Sequence, residues 1–547
     1  MGLGTRGDFE GFAVTPITID SVLSARAAGD LPRAIERISR LFALRPDAAD
    51  VAQLAGVLYC EAVVYERGLT FLKMSSRLAS ADKQVWLNLA LAHRHQGQHA
   101  EALGVAQRVI LLDPQSPTLA LSVARYAASP DLKSVFIEMA KRVCRWSLLL
   151  DPLSFEAAYF HGMAHKRNND FSEAVTSLSH SVVLAPSIAA PLVGLGDTLA
   201  EMTQFSASQQ CYRWACNADP VHHDAPYHLS LVQLRIGHFE DGWANYEHRW
   251  FAAVGKEHLS ESLAVRASRP EYTGINRPKR LLIWGEQGIG DEIMFGSLLA
   301  EFQQNCDELL VQLDPRLIDL FSRSLTRVRF FGFDKPPTPD LYDEQLPIGS
   351  LGKFLRPTRA SFAGKGGRYL MAAEGSARKL RSDLGVAKHE QLIGLCWRAA
   401  NPDNRQIRSL PLETLLKALS LPGLRFLNLQ YANVDKELSL LDPALGSRLL
   451  RHPDIDLTKN LDGVAGLIEA CDLVISVGNA VAHLSGALGQ RTWVLLPQVA
   501  GWRWLHGSTT CGWYESVRLF RQERRGDWNG VLSDLRAAID HDMRNRQ

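Results

Sequence analysis

The sequence predicts an α-helical superhelix followed by an α/β region of two lobes, each built on a parallel sheet. Three observations predict it. Small residues recur at a period near 34 through the first half, that rhythm stops after Trp250, and short apolar runs then alternate with helical patterns to the end of the 547-residue chain. A chain of that length exceeds one ordinary domain.

The first element is the repeat array. Ala34, Gly68, Ala102, Ala140, Ala174, Ser208 and Gly242 follow one another at spacings of 34, 34, 38, 34, 34 and 34. Gly56, Ala90, Gly162, Gly196 and Ser230 precede five of them by 12 residues, and Pro46, Pro114, Pro152, Pro186 and Pro220 follow five of them by 12. A period of 34 is two short helices per repeat. Small residues let paired helices approach closely, and the proline ends the second helix because it lacks an N–H and clashes with the preceding turn. One small residue alone would be ordinary helix packing; seven in register define a repeat. The array spans residues 18–254. Such solenoids carry an extended concave face suited to peptides or proteins, which implies a partner rather than a reaction. The longer spacing between Pro114 and Pro152 predicts a local distortion of the superhelix.

Residues 255–278 are polar, contain Pro270 and Pro278, and read as a linker. From Lys279 onward "RLLIW", "ELLVQL", "RVRFF", "LIGLCW", "LRFLNLQ", "DLVISV" and "TWVLLP" alternate with helical patterns. That alternation predicts parallel sheets with helices on both faces. The runs fall into two groups, 279–372 and 388–547, separated by a joining helix in "AAEGSARKLRSDLG".

Bulk properties narrow the function classes. Lys plus Arg number 60 and Asp plus Glu 59, so neither nucleic acid nor an anionic membrane is indicated as a partner. No run of about 18 apolar residues marks a membrane span. The start, "MGLGTRGDFEGFAVTP", lacks the basic and apolar regions of a secretory signal. A soluble, cytoplasmic protein is expected. The 8 cysteines form no CxxC pair and read as buried thiols, and His222 with His223 is a weak metal signal. No metal or cofactor is expected.

Ligands of parallel α/β sheets sit beyond the carboxyl ends of the strands, and two loops there stand out. In "RLLIWGEQGIGDEIMF", Gly285, Gly288 and Gly290 do not make GxGxxG. Asp291 stands where a helix should begin. It reads either as an N-cap or, exposed at a cleft, as a proton acceptor; a phosphate there would be repelled. In "DLVISVGNAVAHLSGALG", Gly478 permits close backbone approach and Asn479 can cap. The N–H groups of Asn479, Ala480 and Val481 then suit an anion. Arg398, Arg405 and Arg408 follow another strand and offer fixed, always-charged donors for phosphate, or else are solvated surface charges. His483 reads as a packed residue first and a ligand contact second. Trp502, Trp504, Trp513 and Tyr514 read as core or lobe-interface residues rather than a sugar platform.

"WGEQGIGDEIMF", "IRSLP", "LNLQ", "DLVISVGNAVAHLSGALG", "WRWL", "WYESVRLFRQ" and "GDW" resemble bacterial tetratricopeptide-repeat proteins with a C-terminal glycosyltransferase domain similar to the family-9 heptosyltransferases. The resemblance covers the chain from about residue 18 onward and implies a two-lobed GT-B fold after a tetratricopeptide solenoid. It implies an inverting, metal-independent transfer of a sugar from a nucleotide-sugar co-substrate to Ser or Thr of a protein acceptor, flagellin in some relatives, held by the repeats. Asp291 matches the family's base. Gly478 to His483, with Asn479 and Ala480, match its donor-binding loop; the arginine reading above sets Arg405 and Arg408 beside the donor phosphate. Gln430 falls near the nucleotide, and Gln287, Gly288 and Gly290 form the acceptor-side loop. One departure stands out: the family pattern Val-Asp-Thr is replaced by Val477, Gly478 and Asn479. The asparagine ladder of eukaryotic O-GlcNAc transferases is not kept, since the corresponding positions read Leu54, Asn88, Phe160, Gly194 and His228. The rival readings are a repeat scaffold with an inactive α/β domain, favoured by that departure, and a transferase acting on lipopolysaccharide or another glycan.

Overall fold

The computed structural model describes residues 17–127, 137–252, 265–399 and 405–545, with the side chains of Tyr126, Arg405 and Gln406 excepted. The N-terminal stretch 1–16, residues 128–136 within the longer repeat spacing, 253–264 across the start of the linker, 400–404 and 546–547 lie outside the described residues. The chain folds as two compact units, Met1–Thr198 and Leu199–Gln547. The division falls inside the repeat array, so the last repeats belong to the unit that carries the sheets.

The first unit is paired helices. Second helices of the pairs run over Leu31–Leu44, His99–Leu112, Ile137–Leu150 and Phe171–Leu184, each stopping two residues before a proline of the sequence pattern. Arg45, Asp113 and Ala185, which precede the prolines, have φ of −138°, −151° and −141°. Proline's Cδ disfavours the helical region for its predecessor. A second helix without the proline, Tyr65–Leu78, stops at the equivalent residue with Ala79 at φ −127°, so proline reinforces a stop that packing already sets. The small residues do what their spacing implies. A Cβ on Gly56 would lie 2.5 Å from Leu72 Cγ and 3.0 Å from the Gly68 carbonyl, and one on Gly162 would lie 2.6 Å from Leu178 Cγ.

The second unit begins with further repeat helices, ending in α1 (Asp224–Ile236) and α2 (Phe239–Tyr246). Two wholly parallel sheets follow. The first contains β1 (Arg280–Trp284), β2 (Glu308–Leu313), β3 (Arg329–Gly332) and β4 (Glu344–Pro347) in the order β3-β2-β1-β4. The second contains β5 (Gln391–Cys396), β6 (Leu424–Asn428), β7 (Leu449–Leu450), β8 (Leu473–Val477), β9 (Thr492–Leu496) and β10 (Val517–Arg521) in the order β10-β9-β8-β5-β6-β7. Strands β8 and β9 are buried along their whole length, as strands covered on both faces must be.

Each of the seven apolar runs of the sequence overlaps a strand, and the joining segment contains the helix Ser376–Asp383. Three strands, β4, β7 and β10, are additions. In "EQLP" and "LL" the apolar signal is too short to read, and β10 lies inside "WYESVRLFRQ".

Strand order reverses between β1 and β4 in the first sheet and between β8 and β5 in the second. A crevice opens at such reversals, outside the carboxyl ends of the strands. The helix after β1 is α3 (Ile289–Gly296) and the helix after β8 is α4 (Ala480–Ala487).

Candidate functional site

The loop after β1 is held before it reaches its acid. Glu286, 2% exposed in its side chain, pairs with Arg249 at 2.7 Å, and its Oε1 also accepts the Gly349 N–H at 2.7 Å. Gln287 donates to the Tyr246 hydroxyl at 2.6 Å. These contacts fix the loop to α2, the residues just after it and the end of β4. Helix α3 then starts at Gly288, the N-cap, with no side-chain cap bond. Asp291 is therefore not the N-cap that its position suggested. It is the third helical residue, and its N–H donates to Gly288 O at 2.8 Å.

The Asp291 carboxylate faces a guanidinium instead: Arg503 Nε lies 2.5 Å from Oδ1. Burial works against the Arg503 charge, but Asp291, with Tyr246 and Tyr227 beside it, holds that guanidinium above its ordinary pKa. Oδ2 of Asp291 accepts no hydrogen bond among the described residues, so one lone-pair face of the carboxylate stays available.

Asn479 caps α4, as its place in the sequence suggested. Its Oδ1 accepts from Val481 N at 3.0 Å and Ala482 N at 3.4 Å, while Nδ2 donates to Arg398 O at 3.2 Å and lies 3.0 Å from Cys396 Sγ. The side chain thus ties β8 to β5 at the strand-order reversal. It also corrects one expectation: the Val481 N–H is taken by the cap and is not free for an anion.

Both loops meet at one cavity of about 210 Å³, lined by Gly290 and Asp291 from the first loop, Gly478, Asn479, Ala480 and His483 from the second, and Arg408, Arg503 and Trp504 among others. The helices touch there: a Cβ on Gly290 would lie 3.3 Å from His483 Cδ2 and 3.5 Å from Ala480 Cα. His483 is 5% exposed, lies 3.1 Å from the Tyr514 hydroxyl through Nδ1 and stacks on Trp504. Burial, with Arg503 nearby, pushes its pKa down to about 3, so the ring is neutral at ordinary pH.

Arg408 is half-buried, and no carboxylate pairs with it among the described residues. Burial lowers its pKa; Glu201 opposes this, and Arg503 and Arg525 add to it. Arg503 and Arg525 are themselves satisfied by Asp291 and Glu201. The cluster carries a surplus positive charge that belongs to Arg408, and the site fits an anion.

Not all the anticipated residues converge. Gln430 is 3% exposed and lies outside the cavity lining. Its Oε1 accepts the N–H groups of Trp397 at 3.0 Å and Arg398 at 2.7 Å, and its Nε2 donates to Tyr431 O at 3.0 Å. It joins the ends of β5 and β6. Gln287 and Gly288 shape the first loop without lining the cavity. The side chain of Arg405 lies outside the described residues. Arg503 and Trp504, both in "WRWL", were missed as site residues. Trp504 was assigned to packing by residue type, and nothing in spacing alone brings Arg503 to Asp291, 212 positions away.

Among the described residues no group of three or more His, Cys, Asp or Glu could hold a metal ion. None of their helices is long and apolar enough to cross a membrane.

Comparison with known proteins bears on the N-terminal region. A tetratricopeptide-repeat profile matches residues 69–117, inside the helical array. The repeats of the N-terminal region are tetratricopeptide repeats, an architecture of protein interaction. Protein FlbA of Caulobacter vibrioides is 25% identical over 594 aligned residues, covering 98% of this chain and 96% of FlbA. Among solved structures, a tetratricopeptide-repeat protein from Parabacteroides merdae matches 45% of this chain and 96% of its own at 13% identity and a TM-score of 0.37. YrrB, described as a tetratricopeptide-repeat protein with an unusual peptide-binding site, matches 35% of this chain and 96% of its own at 16% identity and a TM-score of 0.29.

Proposed function

We propose that this protein is a glycosyltransferase of GT-B type that moves a sugar from a nucleotide-sugar onto Ser or Thr of a protein acceptor recruited by its repeats, working in the cytoplasm without a metal. The observation that carries the reading is the convergence in one cavity of a carboxylate from the first sheet with an arginine and a helix N-terminus from the second. Asp291 takes the proton of the acceptor hydroxyl. The hydroxyl oxygen attacks the anomeric carbon as the bond from that carbon to the phosphate oxygen breaks, and the electron pair leaves with the phosphate. Configuration inverts. Arg408 and the start of α4 stabilise the negative charge that grows on the leaving phosphate, while Arg503 orients Asp291. A single carboxylate suits this reaction better than the pair that glycosidases use. Flagellin is the acceptor class that the sequence resemblance suggests.

The test is intact-mass analysis of candidate acceptors incubated with the full-length protein and a panel of nucleotide-sugars. A mass increment of one glycosyl residue that needs both is expected.

A second reading is favoured by two specific features. The Arg503–Asp291 pair engages the base, and the Asn479 cap takes an N–H at the anion site, as in a domain that keeps its fold without its reaction. Under that reading the acceptor binds, its mass never changes, and nucleotide-sugars have no saturable affinity.

A further inference from the structure

Trp504 is 4% exposed, yet its indole nitrogen donates to nothing among the described residues, and the residue lines the cavity. That nitrogen stands over Gly478: a Cβ there would come 2.8 Å from Trp504 Nε1, nearer than to any other atom. Unlike the indole nitrogens of Trp250 and Trp528, it is not sealed inside the fold; in a residue otherwise buried, an N–H that opens only to the cavity is a donor a ligand can reach.

The surroundings hold the indole in place. Its ring stacks on His483 with centroids 4.8 Å apart. Arg521 Nη2 donates to the carbonyls of Trp504 at 3.0 Å and Leu505 at 2.8 Å. Leu505 has φ +38°, a conformation that a branched side chain rarely adopts, and the His506 N–H donates to Arg235 O at 2.8 Å just beyond it. The turn after Trp504 is therefore clamped from both sides, and the clamp fixes where the indole N–H points.

We infer that the Trp504 indole N–H, uncovered by the absence of a side chain at Gly478, is a hydrogen-bond donor to a phosphate oxygen of the ligand, acting beside Arg408 and the start of α4. The inference rests on the phosphate-binding part of the function proposed above and extends it. It assigns an oxygen-binding group that the Asn479 cap cannot supply, since that cap has taken the Val481 N–H. It also gives the glycine at 478 a reason: any side chain would cover the donor. The ligand chemistry is a phosphate ester or diphosphate, whose charged oxygens are strong hydrogen-bond acceptors. A sugar hydroxyl fits less well, because the surplus positive charge of Arg408 lies in the same cavity.

The test is calorimetry on the full-length protein with inorganic pyrophosphate and, in separate arms, with the common nucleoside diphosphates. Trp504→Phe keeps an aromatic ring against His483 and removes the N–H. Gly478→Ala keeps the N–H and covers it. Each is expected to weaken binding of both ligand classes about tenfold, the worth of a hydrogen bond to a charged acceptor. The double variant is expected to be no weaker than Gly478→Ala alone, since both changes remove the same bond. A purely structural role would give additive losses and a fall in melting temperature in Trp504→Phe; Gly478→Ala, whose Cβ comes 2.8 Å from the indole nitrogen, is expected to lose stability under either reading. Unchanged affinity in Trp504→Phe, with Arg408→Ala weakened, overturns the inference and leaves the phosphate site standing. Additive losses in the double variant overturn it as well. No saturable binding of either ligand class to the unaltered protein overturns both the inference and the proposed function.

Discussion

The loops after β1 and β8 occupy the same place in their sheets and differ in what they present. In each, a strand ends, glycine follows, and a helix begins whose fourth residue is a buried titratable group, Glu292 in α3 and His483 in α4. Burial pushes Glu292 up to about 8 and His483 down to about 3, so both are neutral at pH 7. The N-caps differ: Gly288 offers no side chain, while Asn479 caps through its amide oxygen. The third residues differ more, Asp291 against Ala482. One loop therefore sends a carboxylate into the cavity and the other sends backbone dipole alone. One fold element, used twice, places opposite electrostatics a few ångströms apart, which is what a proton transfer opposite a departing phosphate requires.

The strongest way to break this contrast is Asp291→Asn. Asparagine keeps the size and can still accept from Arg503 but no longer offsets its charge, so a lower melting temperature and a nucleotide affinity that holds or rises are expected. Glycosyl transfer to the acceptor, followed by intact mass, is expected to fall roughly 10²–10⁴-fold, the usual worth of a positioned base. A fully active variant would remove Asp291 from the mechanism.

The second loop is tested by giving it the first loop's charge. Asn479→Asp preserves the cap, since the two residues cap about equally well, and a carboxylate suits the dipole at a helix start. The cost lies on the other side of the group: aspartate loses the Nδ2 donor to Arg398 O and sets a carboxylate oxygen against that carbonyl, so the melting temperature is expected to fall. Nucleotide affinity is expected to fall about 10- to 100-fold, because a carboxylate there repels phosphate; a charge-assisted contact is worth roughly 1.5–3 kcal/mol. An affinity loss in Asn479→Asp that exceeds the loss in Asn479→Ala, which breaks the same bond to Arg398 O without adding charge, would mark the second loop as the anion site. Arg408→Ala is expected to lose a similar affinity and no stability, since it breaks no ion pair among the described residues.

The legibility of the two loops in the sequence follows the range of the forces involved. Repeat period, strand runs and the Asn479 cap rest on interactions within a few residues, and the sequence displays them. The Asp291 cap reading failed because the helix begins three residues earlier, at a glycine that gives no capping signal. The Arg503–Asp291 pair and the Trp504 indole over Gly478 join positions far apart in sequence, and no local pattern encodes them. Gln430 was placed near the nucleotide by resemblance, yet its carboxamide is spent on the backbone of β5's end. The GT-B arrangement and the transfer reaction remain readings of the resemblance and the cavity.

The buried pair at the fourth position gives a pH signature. A free glutamate in the unfolded chain loses its proton near 4.5, whereas folded Glu292 keeps it to about 8. Between those values the unfolded state binds fewer protons, so this group's contribution to stability falls as pH rises through the window. His483 acts in the other direction: with an ordinary value of 6.5 and a folded value of about 3, it costs stability as pH falls between them. Glu292→Gln is expected to remove the alkaline slope, raising the melting temperature by about 2–4 °C at pH 8.5 relative to pH 5. Thermal denaturation across pH checks it, and an unchanged slope would show that Glu292 ionises without cost.

The smallest expected effect probes the contact between the loops themselves. Gly290 is the second residue of α3, and an added Cβ would meet His483 Cδ2 at 3.3 Å. Alanine gains about 0.5–1 kcal/mol over glycine in a helix, and relief of the contact by a slight parting of the helices returns a similar amount. Gly290→Ala is therefore expected to leave the melting temperature within about 2 °C. It leaves Arg408, Asn479 and Trp504 untouched, so nucleotide affinity should stay the same. What changes is the distance between Asp291 and the second loop's anion site, and transfer depends on that distance because reacting groups must be held in near-attack geometry. A severalfold loss of turnover at constant affinity and stability is the expected result. Loss of nucleotide binding in this variant would instead mean that the first loop helps to hold the phosphate, and the division of charge between the two loops would be wrong.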